Sequence, residues 1–258
     1  MSASGAPAAL RVQRGRGHSY KLDGEKIDGV TTVIGNGLPK PQLVGWAARE
    51  VAEFIATRRE VLPHLSDREL VDLCKGAPGR IKDAAANRGT EVHRLASQLA
   101  AGEEVEVPVE IDGHVDAYLG FLEAFEPTGA LVERPVFNRK YRYGGTMDML
   151  AQTARWGSTL FDYKTGGTGI YGDVALQLAG YGNAEFYVDE EGVERAMPEV
   201  DAYAAVWVRA DGYDVYPIQV TDREFKTFLY VQQVAWWIEH REREVKGDAV
   251  WRRQEVKA

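Results

Sequence analysis

The chain has 258 residues, of which 45% are hydrophobic and 27% charged. That is the length of one elaborated domain or of a core with a smaller lobe, and no apolar run approaches the ~20 residues of a membrane span. A net charge of -8 argues against a uniformly basic nucleic-acid binder, and the single cysteine, Cys74, excludes an internal disulfide and any four-cysteine zinc or iron–sulfur site. A reducing cytoplasm is the expected compartment. Met1 to Leu10 lacks a basic start and an apolar h-region, so no signal peptide is expected.

In chain order, Met1 to Gly17 reads as a flexible arm and Tyr20 to Val33 as a small hairpin, with turn signals at Asp23-Gly24 and Asp28-Gly29. Gly35 to Pro41 reads as a loop. From Gln42 to Arg59, Leu43, Trp46, Ala47, Val51, Phe54 and Ile55 recur at helical spacing. Ser66 and Glu69 make a capping box opening a short helix that ends near Gly76. A further helix is expected from about Pro78 to Ala101, stopped by Gly102, with Val92, Leu95, Ala96 and Leu99 as its buried stripe. Gly113 to Phe125 reads as the next helix, ended by Pro127.

The chain then changes character. Ala130 to Asn138 reads as a strand, followed by the alternating runs Tyr143 to Gln152 and Ser158 to Lys164 around a five-residue loop. Gly166 to Gly169 is a loop, and Asp173 is placed to cap a helix running to about Val188. Asp201 to Arg209 and Tyr213 to Gln219 read as strands. Thr221 and Glu224 form a second capping box, opening a helix to about Val245. The expected architecture is α/β, divided into an N-terminal arm, hairpin and helical extension over 1–88 and a core over 89–258. Trp236-Trp237, on the last helix, is expected in the core, with an interface as the alternative.

The hairpin carries the chemistry. If Gln152 pairs with Ser158, Asp148 stands opposite Asp162, and Lys164 shares their face. Opposed carboxylates destabilise a sheet unless a cation lies between them. His93 flanks the apolar stripe of its helix, where a neutral imidazole is a ready metal ligand. Glu133 sits inside a strand, either at a sheet edge or in the site. Gln177 and Tyr181 share one helical face just after the glycine loop. Four basic clusters punctuate the chain: Arg11, Arg14, Arg16 and Lys21; Arg80, Lys82 and Arg88; Arg139, Lys140 and Arg142; and Arg252 and Arg253. The third leads into the hairpin. Gly166-Gly167-Thr168-Gly169 is not a P-loop, since no Gly-Lys-Ser/Thr follows.

Taken in order, Gly89-x-x-x-His93, Glu133, Gly145-Thr146-x-Asp148, Asp162-Tyr163-Lys164-Thr165-Gly166 and Gln177-Leu178-x-x-Tyr181 resemble the PD-(D/E)XK nuclease superfamily, in its RecB-like and Cas4-like exonuclease branch. The resemblance covers about Gly89 to Arg209. Val30-Thr31-Thr32-Val33 and Leu43 to Ala48 resemble, less specifically, the N-terminal region of phage-type members. Members with an iron–sulfur cluster need four cysteines, so this chain resembles a cluster-free, stand-alone form.

The resemblance implies a restriction-endonuclease-like core, a mixed sheet flanked by helices, and hydrolysis of DNA phosphodiester bonds in phage or bacterial recombination, repair or processing. It implies Mg²⁺ or Mn²⁺ held by Asp148, Asp162, His93 and the Tyr163 backbone carbonyl, with Lys164 orienting or deprotonating the attacking water and Glu133 positioning a second ion or that water. Gln177 and Tyr181 would hold the strand, and Arg139, Lys140 and Arg142 would touch its phosphates. The implied partners are DNA, a single-strand annealing or recombination protein and further copies of the chain, with no membrane. Two alternatives stand beside the exonuclease: a restriction-like or structure-specific endonuclease of the same fold, and a non-catalytic DNA-binding protein.

Overall fold

The computed structural model describes residues 9–14, 17–60, 62–100, 103–166 and 169–250. Arg16, Gly102, Gly167, Thr168, Arg252 and Arg253, and the side chain of Arg14, lie outside what is described. The expected arm is in part a strand, β1 (Ala9–Arg14), paired antiparallel with β2 (Gly17–Leu22). Asp23 and Gly24, both at positive φ, turn β2 into β3 (Glu25–Gly29). Two consecutive positive-φ residues make a tight hairpin turn whose twist matches the strands.

Asp28-Gly29 is not a turn. Asp28 and Gly29 pair in parallel with Tyr143 and Gly144, and helix α1 (Val30–Gly37) starts directly after them. Burial overrides the β propensity of Val30 and Val33, both fully buried. Helix α2 (Gln42–Thr57) follows as expected, yet none of its residues is buried, and Leu43, Val44 and Ile55 face solvent.

The two helices expected on either side of Gly76 are one, α3 (Asp67–Ala100), opened by the Ser66–Glu69 capping box. Pro78 lies inside it. A proline removes one helical donor and crowds the preceding turn. Here Arg80 folds back over Gly76, where a Cβ would meet its guanidinium, and donates to the Leu73 carbonyl at 2.8 Å. The apparent breakers Gly76 and Pro78 are thus bridged by one side chain. Residue 88, the expected domain boundary, falls within this helix.

Helix α4 (Asp112–Phe125) ends at Glu126, in the left-handed conformation just before Pro127. Then come β4 (Thr128–Asn138), β5 (Tyr143–Thr153) and β6 (Gly157–Lys164). The β5–β6 loop is three residues rather than five, because Thr153 pairs with Gly157. Helix α5 (Val174–Gly182) is shorter than expected: β7 (Phe186–Val188) and β8 (Glu194–Ala196) occupy the stretch after it. Asp173 makes no side-chain cap and pairs with Lys40 at 2.9 Å instead. The chain closes with β9 (Ala202–Arg209), β10 (Gly212–Pro217) and α6 (Asp222–His240), which starts in the expected capping box.

The result is an α/β fold on a mixed sheet. β4, β5 and β6 run antiparallel; α5 carries the chain over so that β9 lies parallel to β6, with β10 beyond it. β7 and β8 extend the β4 edge. Helix α4 covers one face, packing Tyr118 and Phe121 on Met149, Phe161 and Tyr163. Helices α1, α5 and α6 cover the other through Val30, Leu178, Tyr181 and Phe228. Trp236 and Trp237 are not in the core but nearly half exposed on α6. No described helix is long and apolar enough to cross a membrane.

Candidate metal and nucleic-acid site

β5 is the hub of the sheet. On one edge it pairs with β4 throughout. On the other it pairs with β3 at Tyr143 and Gly144, and with β6 only from Met149 onward. Among the described residues Gly145 to Asp148 have no strand partner on that second edge. Neighbouring strands diverge there as a fork, and Asp148 stays partly exposed at the divergence.

Three acids line up across the fork. Val132 pairs with Met149 and Arg134 with Met147, so Glu133 faces Asp148. Met149 pairs with Phe161, so Asp162 is next to Asp148 on the other side. Like charges in neighbouring positions destabilise a sheet. His93 enters from α3, its Nδ1 3.6 Å from Glu133 Oε1 and its ring edge-on to Tyr163. Ligand atoms from His93, Glu133 and Asp148 all lie within 4.8 Å of one another. That donor set differs from the expected one: Glu133 belongs to the tight group, while Asp162 stands just outside it.

Asp162 is fully buried. Its Oδ1 accepts from Gln177 Nε2 at 2.6 Å. Lys164 Nζ approaches Oδ2 to 2.5 Å, but no donor reaches that oxygen with hydrogen-bonding geometry. Lys164 donates instead to Gln177 Oε1 at 3.1 Å, and Gln177 Nε2 also reaches the Tyr181 hydroxyl at 3.2 Å. Gln177 therefore links the acid, the lysine and Tyr181. Tyr163 contributes backbone rather than side chain. Its N–H donates to Asp148 Oδ2 at 2.7 Å, and its ring is buried on the α4 face. In a strand the N–H and C=O of one residue point to the same side, so the Tyr163 carbonyl also faces Asp148.

The charges respond to this crowding. Burial and then the Asp162 carboxylate push Asp148 up to about 7, against the pull of His93 and Lys164. Burial alone would lower His93, but the Glu133 carboxylate 3.6 Å away and the nearby Asp148 and Asp162 carboxylates raise it. Burial opposes the Lys164 ammonium too, and Asp162 and Asp148 overcome it and raise its pKa. Three adjacent carboxylates, one of them fully buried, and one imidazole fit a hard or borderline divalent cation.

Arg139, Lys140 and Arg142 are not part of this group. They form the β4–β5 turn, and even Arg142 is six residues from Asp148, roughly 20 Å along an extended strand. Arg139 pairs with Glu194 at 2.7 Å and lies over the Phe186 ring, while Arg142 pairs with Glu25 at 2.6 Å. Lys140 lies over the ring of Tyr141.

Two tyrosines explain the glycine pair of β5. A Cβ on Gly145 would run into the Tyr181 ring, and one on Gly144 would press on Tyr20. Tyr20 escapes a reading based on motifs. It comes from the N-terminal hairpin, and its hydroxyl shares a buried 2.9 Å hydrogen bond with Thr146, two residues from Asp148. Its only sequence signal is an aromatic between turn residues, and that is common.

Neither a protein-family model nor a curated protein matches the chain. Among solved structures, one described as "Crystal structure of SSO0001" is 17% identical, with a TM-score of 0.32, over 61% of this chain and 72% of that one. A score at that level carries no argument about fold or function, and nothing in the site rests on it.

Proposed function

We propose that the chain is a Mg²⁺- or Mn²⁺-dependent deoxyribonuclease with a PD-(D/E)XK core, acting on DNA ends in recombination, repair or processing. One observation carries the reading: Glu133, Asp148, Asp162, Lys164 and His93 converge at the β5 fork, joined to α5 by Gln177. The order α3, α4, three antiparallel strands, α5 and, after the short β7 and β8, a β9 parallel to β6 supports the same core.

His93, Asp148, Glu133 and the buried Asp162 oxygen would hold the cation, together with the Tyr163 carbonyl. The ion would supply Lewis-acid activation of the phosphate and of the attacking water. Lys164 keeps its ammonium form beside Asp162 and donates to the phosphate or to the water. Gln177 keeps that ammonium and the Asp162 carboxylate in fixed register. Tyr181 supports Gln177 and packs its ring on Gly145, which ties α5 to β5 beside the acids.

The test is a time course on end-labelled linear DNA, single- and double-stranded, with each metal. The protein is expected to degrade linear DNA only when metal is supplied. Asp162→Ala and Lys164→Ala should each lower the rate at least about a hundredfold. Full activity in either variant refutes the assignment. Cleavage of covalently closed circles would identify an endonuclease instead.

A further inference from the structure

The site is strongly acidic, and its substrate under the reading above is a polyanion. Some positive surface must offset that repulsion. The basic turn at Arg139 to Arg142 stands roughly 20 Å along β5 from Asp148, with Glu194 and Glu25 paired to its two arginines. The β1–β2 wall is placed differently. Arg11 pairs across the strands with Tyr20, and His18 packs edge-on against the Tyr20 ring at 5.2 Å. Tyr20 is pinned to Thr146, beside Asp148. Thr146 lies two residues from Asp148 on β5, so the wall borders the acidic centre.

Arg11 and His18 are both exposed, and among the described residues Arg11 makes no ion pair with a carboxylate. Its Nη2 lies 3.4 Å from His18 Nδ1. A guanidinium can only donate, so the Nδ1 accepts and the ring proton sits on Nε2. The pair therefore offers the remaining guanidinium N–H groups and one imidazole N–H, with the ring's single acceptor already used. A donor-only surface of this kind suits a phosphate, and the planar guanidinium can engage two of its oxygens.

We propose that Arg11 and His18 form a phosphate clamp on the β1–β2 wall, holding a backbone phosphate of the substrate strand beside the one that is cleaved. The clamp rests on the nuclease reading. It gives the N-terminal hairpin a role in substrate binding rather than in chemistry.

The experiment measures fluorescence anisotropy of end-labelled single-stranded and duplex 20-mers with Ca²⁺, across roughly 50 to 200 mM NaCl. It compares the whole wild-type chain with Arg11→Gln and Arg11→Lys, and cleavage kinetics with Mn²⁺ run in parallel. Arg11→Gln should weaken binding about tenfold and raise KM with little change in kcat. Its plot of log affinity against log salt should flatten by about 0.7 for single strands or 0.9 for duplex. Arg11→Lys should keep the wild-type slope.

Wild-type slope and KM in Arg11→Gln overturn the clamp while leaving the nuclease intact. So does an equal loss in both variants accompanied by a lowered melting temperature, which would mark Arg11 as structural. A wild-type chain that neither binds nor cleaves DNA removes both readings.

Discussion

Glu133 stands in the middle of a strand at φ +52, a conformation that costs a residue with a Cβ about 1–2 kcal/mol. The register on both sides of it is unbroken, from Val132↔Met149 to Arg134↔Met147, so the left-handed backbone serves no bulge. It coincides with the carboxylate that faces Asp148 and approaches His93. Strain kept where the surroundings over-determine it is a mark of sites. Two substitutions separate the strain from the chemistry. Glu133→Gly and Glu133→Ala both delete the carboxylate, but only glycine relaxes at positive φ. The glycine variant should be the more stable of the two by about 1 kcal/mol in urea unfolding, with equal loss of the proposed nuclease activity. Equal stability would mean that the backbone is unstrained there. The acid itself was legible in the sequence, as a charge between Val132 and Pro135 in an apolar strand. Its backbone was not, because positive φ is normally announced by glycine, and here a glutamate is held by its neighbours.

At the level of elements, the register of the β5–β6 hairpin could be read because side chains alternate with period two and Gly157, at φ +71, ends a tight turn. The two capping boxes could be read because their bonds are local, within three residues. What failed was set by distant partners. Val30 to Val33 resemble a strand and form a helix because α5 and α6 bury Val30 and Val33. Gly76 and Pro78 resemble a break, and Arg80 bridges it. Trp236 and Trp237 resemble core residues, yet α6 turns them outward. The glycines of β5 sit between these cases: close approach could be foreseen, but not what approaches. Gly145→Ala tests that contact. The new methyl would fall on the Tyr181 ring and drive α5 from the sheet, carrying Gln177 away from Asp162 and Lys164. A stability loss of about 1–3 kcal/mol is expected, with the proposed nuclease activity falling together with it. A variant as stable and active as wild type would show that Tyr181 does not fix Gln177.

Over the whole molecule, the fork stores electrostatic repulsion that a cation would relieve, so folding, metal and pH should be linked. The metal-free folded state holds a proton on Asp148 up to about 7, whereas the unfolded chain releases it near the ordinary carboxylate value of 3.8. Between those two values the folded state binds more protons. This contribution to stability is complete below the lower value and is lost as pH rises through the upper one. His93, raised above its usual value, acts in the same direction. A cation needs Asp148 ionised and His93 neutral, so its affinity should climb over the same range as it displaces those protons. The groups facing Asp148 that shape this titration are Asp162, His93, Lys164 and Glu133. At a free Mn²⁺ concentration about a hundredfold above its Kd, binding adds about 2.7 kcal/mol, or roughly 5–10 °C in melting temperature for a chain of this size. That increment should be present at pH 8, shrink at pH 5.5 and vanish on chelation. Asp148→Asn should melt higher than the metal-free wild type at pH 8, because the repulsion is gone, and should show no manganese increment. Equal increments at both pH values, or one that persists in Asp148→Asn, would separate the cation from the fork and leave Lys164 and His93 to balance the three carboxylates.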